Sequence, residues 1–290
     1  MTKLNQKRLG RVGVLLVSLV LALVCAVSAV SASGGYKFPD HATPVQMKLD
    51  GKEVLAGETV IINSVTYVPL RSFSELMGAN SITWNQKTGT ATVKKGSTTI
   101  YVTDGSYYIV AADRYFYTPQ PVLNISDRLF VPIRPIAKAF CVNVEWENAT
   151  RTVLLKSTGK TLTPATEYYD MDDLYWLSRI ISAESAGESL YGQIAVGNVV
   201  LNRVASRQFP NTVYGVIFDR NGGVQFTPVA IGTIYKTPTE RSVIAAKICL
   251  EGYSISDEIL FFMNPRIATN NWISKNRPFA FRIGNHDFYK

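Results

Sequence analysis

The chain has 290 residues, with 30 basic against 22 acidic side chains and a formal net charge of +8. That length suffices for two ordinary domains. No dense Lys/Arg stripe with interleaved aromatics runs through it, which argues against nucleic acid as a partner. Two histidines are too few for a His-rich zinc or copper site, so no metal and no other cofactor is expected.

At the N-terminus, Lys3, Lys7, Arg8 and Arg11 precede an apolar run from Val12 to Val27, and small residues follow. This is the pattern of a signal peptide over residues 1–32. The run is shorter than the roughly 20 residues a membrane span needs, though retention as an anchor is the alternative. A secreted protein is expected, touching the membrane only transiently through this segment. Four of the 30 basic residues lie in it, which leaves 26 against 22 acidic ones, a balance of +4. Beyond it stand Cys141 and Cys249, each in an apolar, helix-like run, and both read as buried unpaired thiols.

Residues 45–157 read as short strands separated by turns such as Asp50-Gly51 and Asn63-Ser64. They also repeat. Tyr67-Val68-Pro69-Leu70-Arg71 returns as Phe130-Val131-Pro132-Ile133-Arg134, and Trp84-Asn85 returns as Trp146-Glu147. A short helix lies between Arg and Trp in each copy, over Ser72–Met77 and Pro135–Phe140. Each unit is strand, helix, strand, strand, with a hairpin before it, and the two units share one core. Tyr101, Tyr107, Tyr108, Tyr115, Phe116 and Tyr117 either stack on sugar rings or fill the sheet core. Arg71 and Arg134 either bind ligand or set the helix starts. The paired V-P-[LI]-R and Trp motifs resemble the copper amine oxidase N-terminal-like domain of secreted Gram-positive proteins. The resemblance implies a wall-binding or positioning unit and no copper. A polar linker over residues 158–167 follows.

From residue 168 to 290 the pattern changes to helices, over Met171–Glu184, Leu190–Ala205 and Glu240–Gly252. Segments 223–227 and 259–263 read as strands or extended loops, so the fold class is α+β. Leu177, Ile180, Ile181 and Glu184 share one helical face. A carboxyl at the end of an apolar stripe is costly to ionise, and desolvation raises its pKa. A general acid for glycosidic cleavage needs this property. The alternative is that Glu184 ends its helix and turns to water.

Several motifs occur in order: Ala183-Glu184-Ser185-Ala186-Gly187-Glu188, Gly192-Gln193-Ile194-Ala195-Val196, Leu201-Asn202-Arg203-Val204, Gln225-Phe226-Thr227-Pro228, Phe262-Met263-Asn264-Pro265 and Ile283-Gly284-Asn285-His286-Asp287-Phe288-Tyr289. Together they resemble the SleB-type cell-wall hydrolase family, typified by the spore cortex-lytic enzyme. The resemblance implies a helix-rich, lysozyme-like domain with one catalytic glutamate, mapping onto Glu184. It implies a lytic transglycosylase acting on the MurNAc-GlcNAc bonds of peptidoglycan glycan strands, located in the cell wall or spore envelope. Gln225, Phe226, Asn264 and Trp272 are the candidate substrate-binding residues, with Tyr191 beside Leu190, where many relatives carry tyrosine. Two readings stand against it. One is a hydrolase with a second acid such as Glu188, since water-using glycosidases need two carboxylates. The other is a wall-binding protein without catalysis. His286 reads as a packing histidine, and Asn202-Arg203 as an anchor for a loop.

Overall fold

The computed structural model describes residues 36–290. The signal-peptide segment, residues 1–32, lies outside the described residues. Among those described, no helix is long and apolar enough to cross a membrane.

The first half opens with strands β1 (Thr43–Pro44), β2 (Gln46–Leu49), β3 (Lys52–Glu53), β4 (Val60–Ile62) and β5 (Val65–Pro69), which lead into helix α1 (Leu70–Leu76). Then come β6 (Ser81–Asn85), β7 (Thr90–Lys95), β8 (Thr98–Thr103), β9 (Tyr108–Ala111) and β10 (Arg114–Tyr117). The second repeat contains β11 (Leu123–Ile125), β12 (Arg128–Pro132), helix α2 (Ile133–Ala139), β13 (Val142–Glu147) and β14 (Thr152–Ser157). The hairpin turns at Asn63-Ser64, Ala112-Asp113 and Ser126-Asp127 hold both central residues at positive φ. That backbone matches the twist of the flanking strands.

The two repeats meet strand to strand. β5 and β12 run antiparallel with Val68 opposite Val131, and the flanking pairs Tyr67–Pro132 and Pro69–Phe130 mirror each other. Both valines are fully buried. The repeated V-P motif therefore sits on a local pseudo-dyad. Each proline holds φ near −60° just before its helix, at Pro69 and Pro132. The helices accordingly begin at Leu70 and Ile133, two residues earlier than the pattern suggested. Phe73 of α1 and Phe140, just after α2, meet edge to face at 5.8 Å in the common core. One sheet runs β1-β4-β5-β12-β11, a second β10-β9-β8-β7-β6, and a third β13-β14-β2-β3, in which β14 and β2 are parallel.

The second half contains α3 (Ala165–Tyr168), α4 (Met171–Ser185), α5 (Leu190–Ala205), α6 (Val213–Phe218), α7 (Thr227–Ile231), α8 (Glu240–Leu250), β15 (Phe261–Met263), α9 (Trp272–Asn276), β16 (Phe279–Ile283) and β17 (His286–Tyr289). The three longest helices match the sequence reading to within one or two residues. Each is capped by a side chain: Asp170 accepts from the amides of Asp172 and Asp173, Ser189 from Gly192, and Thr239 from Ser242. α5 is buried almost all round, at the centre of the helical core. Gly197 lets it approach its neighbours, because a Cβ there would stand 2.7 Å from Cys249 Sγ and 2.9 Å from Ile181 Cδ1. Of segment 223–227, only Thr227 is regular, as the start of α7, whereas 261–263 forms the edge of a small sheet ordered β15-β17-β16.

The halves are packed together. Arg114 on β10 donates to both carboxylate oxygens of Glu251, at 2.6 and 2.8 Å, and the Tyr169 hydroxyl donates to the same carboxylate at 2.7 Å. Lys247 pairs with Asp113 at 2.6 Å. The expected linker is part of this contact: Leu162 packs on the first core, Ala165 on the second, and the Ala165 amide donates to Ala112 O. Tyr108, Tyr115 and Tyr117 are half-buried against the helical core, while Phe116 is buried in the first core. Cys141 is only half-buried and lies just past α2 at positive φ rather than within a helix, whereas Cys249 is buried in α8, where desolvation raises its thiol pKa. Neither forms a disulfide.

Candidate functional site

Glu184 lies in the last turn of α4. Leu174, Leu177, Ile180 and Ile181 bury the stripe that fixes the helix against α5 and α8. Glu184 is half-buried. Desolvation raises its pKa from 4.5 to about 7. Among the described residues it has no ion-pair partner, so nothing offsets that desolvation. A group in this state holds its proton near neutrality and can release it and take it back.

Glu188 is different. It is buried, and Asn285 donates to it through Nδ2 at 2.8 Å and through its backbone amide at 3.4 Å. His286 Nδ1 lies 3.7 Å away, and burial lowers the His286 pKa. Gly284, at φ +57°, passes so close that a Cβ would fall 1.9 Å from Glu188 Oε2. Glu188 therefore ties the start of α5 to the β16–β17 turn. It is neither solvated nor a free second acid. The G-N-H string was visible in the sequence, but its pairing with Glu188 is a tertiary fact. His286 packs edge-on to Phe262, but its Nδ1 is buried without a hydrogen-bond partner.

The remaining candidates are spread over three elements. Tyr191 is exposed in the first turn of α5, a short link away from Glu184. Gln225 is half-buried and donates to Asn221 O and Gly223 O, which closes the loop before α7. Phe226 is buried, with its ring under the Arg203 guanidinium at 5.3 Å, so it supports that loop from beneath. Asn264 accepts from the Arg266 amide just after β15, and Trp272 is exposed at the start of α9. α9 packs on β15, which brings Asn264 and Trp272 to one lobe, while α7 packs on α4. Asn202 and Arg203 anchor a loop as expected. Asn202 donates to Ser256 O and Ile259 O, and Arg203 Nε donates to Leu260 O. Among the described residues, no group of three or more His, Cys, Asp or Glu side chains could hold a metal ion.

Residues 187–289 match the cell wall hydrolase family profile, and residues 48–155 match that of the copper amine oxidase N-terminal domain. The spore cortex-lytic enzyme of Bacillus cereus (strain ATCC 14579) is 42% identical over 122 residues, which cover 42% of this chain and 46% of that one. The spore cortex-lytic enzyme of Bacillus subtilis (strain 168) is 40% identical over 120 residues, covering 41% and 38%. Among solved structures, the catalytic domain of the germination-specific lytic transglycosylase SleB from Bacillus anthracis shares 40% identity. It covers 44% of this chain and 100% of its own, with a TM-score of 0.39. The chain spans less than half the length of these cortex-lytic relatives. On both halves the resemblance read from the motifs holds: the chain joins a copper amine oxidase N-terminal-like domain to a cell wall hydrolase domain homologous to that of the spore cortex-lytic enzymes.

Proposed function

We propose that the protein is a secreted peptidoglycan lytic transglycosylase in which Glu184 is the single acid/base. The observation that carries this reading is the isolated, half-buried carboxyl with a pKa raised to about 7. Protonated Glu184 delivers its proton to the glycosidic oxygen between MurNAc and GlcNAc. The carboxylate it leaves then accepts the proton of the muramic 6-hydroxyl as that oxygen attacks C1. The ring closes as a 1,6-anhydro product and Glu184 is reprotonated, so neither a positioned water nor a second acid is needed. The engagement of Glu188 with Asn285 supports this over a two-carboxylate hydrolase.

Tyr191, Gln225, Asn264 and Trp272 are the groups we assign to glycan contact, with Phe226 holding Gln225's loop in place. Residues 45–157 act as the positioning module, residues 158–167 join it to the catalytic domain at 168–290, and residues 1–32 direct export. Cortex or vegetative wall is the substrate. Digestion of both purified walls, read by mass spectrometry, tests the proposal. The expected products carry anhydro-muramic ends that disappear with Glu184→Gln. Reducing ends would make the protein a hydrolase, and identical products from the variant would remove Glu184 from the chemistry.

A further inference from the structure

A cleft of about 670 Å³ is lined by the β4–β5 hairpin, the second repeat and the end of α8, and Glu184 is not among its lining residues. Its volume falls within the roughly 300–1,000 Å³ of small-ligand sites. One wall carries Arg134, Lys138 and Trp146, and the other carries Tyr253, just past α8, with Tyr117 between them. Tyr117 and Tyr253 meet at 4.4 Å, one from each half. The catalytic half therefore completes a cleft that the first half only begins.

The pseudo-dyad supplies an internal control. Arg71 of α1 pairs with Glu75 four residues on. The matching positions in α2 are Arg134 and Lys138, so the second repeat has a cation where the first has a carboxylate. Among the described residues, neither Arg134 nor Lys138 has an ion-pair partner. The two carboxylates in the lining are already matched, Glu145 by Lys156 and Glu251 by Arg114. Arg134 and Lys138 are the lining charges left without a counterion. Trp84 and Trp146 are both exposed, and each indole N–H donates to the amide side chain two residues on, Gln86 at 2.7 Å and Asn148 at 3.4 Å. Each ring is held as a platform, but only Trp146 lies beside two unpaired cations.

We propose that this cleft binds an acidic segment of the glycan strand, a muramoyl sugar stacked on Trp146 with its lactyl or stem-peptide carboxylate between Arg134 and Lys138. The assignment rests on peptidoglycan being the substrate. Aromatic faces suit pyranose rings, and paired cations suit a carboxylate. A glycerol-phosphate polymer would satisfy the cations but offers no ring to stack.

The test is calorimetric titration of the Glu184→Gln protein, in which no turnover interferes. The probes are soluble un-cross-linked glycan strands bearing stem peptides, chitotetraose, and polyglycerol phosphate. The strands are expected to bind more tightly than chitotetraose, and binding should weaken with salt. Lys138→Glu and Trp146→Ala should each weaken strand binding about tenfold, whereas Trp84→Ala in the first repeat leaves it unchanged. Lys138→Met serves if charge reversal impairs folding, as judged by the melting curve. Unchanged affinity in the folded Lys138 and Trp146 variants would overturn the proposal. Equal loss in Trp84→Ala, or polyglycerol phosphate binding as tightly as the strands, would also overturn it. Product analysis of the wild-type protein on the same strands tests the lytic reading separately.

Discussion

At the scale of single residues, the acid proposed for the reaction, Glu184, also bears on stability. Below about pH 4.5 the group is protonated in both folded and unfolded chains, and burial carries no ionisation cost. Between 4.5 and about 7 only the unfolded chain ionises, so stability falls as pH rises through that window and stays lowered above it. Glu184→Gln removes this cost. The variant is expected to be inactive yet more stable by about 3 kcal/mol at pH 8, with the difference vanishing near pH 4. Denaturant titrations of both proteins at the two pH values check it, and an advantage of the variant over wild type no larger at pH 8 than at pH 4 would contradict the raised pKa. The wild-type turnover rate should decline as pH rises past about 7, because the acid form is lost. The position of Glu184 on an apolar helical face was legible in the sequence. The inward turn of Phe226 was not, because an aromatic residue in a loop carries no periodicity to show which way it points.

At the scale of elements, the close approach of α5 to α4 and α8 depends on the missing side chain at Gly197. Gly197→Ala is expected to destabilise by about 1–3 kcal/mol, since the new methyl meets Cys249 and Ile181 inside contact distance. Cys249→Ala in the same chain should recover part of that loss, giving a coupling measurable in a double-mutant cycle. A full loss that Cys249→Ala does not relieve would point to a different cause. The three long helices were legible because each has an apolar period and a capping residue. α6, α7 and α9 were not, because five or six residues are too few to establish a period. The strand–helix–strand–strand repeat was legible because the chain states it twice. The pairing of β5 with β12 was not, since a repeated motif gives no sign that its two copies meet each other.

At the scale of the molecule, a buried cluster around Arg114 is one of the contacts that join the two halves. The Arg114 guanidinium, bonded to Glu251, also lies 3.4 Å from the centre of the Tyr168 ring. Arg114→Leu leaves the Glu251 carboxylate buried with only Tyr169 to hold it. The expected cost is about 3–5 kcal/mol, and calorimetry should resolve separate melting of the halves. A single undiminished transition would show that other contacts carry the junction.

The pairing of β2 with β14 has a consequence for the order of folding. Met47 lies opposite Val153, so the first long strand of the chain has its partner among the last strands of its own domain. β5 likewise waits for β12. No early fragment can close either sheet, and such non-local contacts form slowly. A chain emerging end first would leave both of these sheets incomplete until β12 and β14 have followed, whereas the β6–β10 meander can close on its own. A fragment ending at residue 125 contains the whole first repeat, yet hydrogen-exchange protection is expected in its β6–β10 meander and should be weak in β2 and β5, whose partners β14 and β12 are missing.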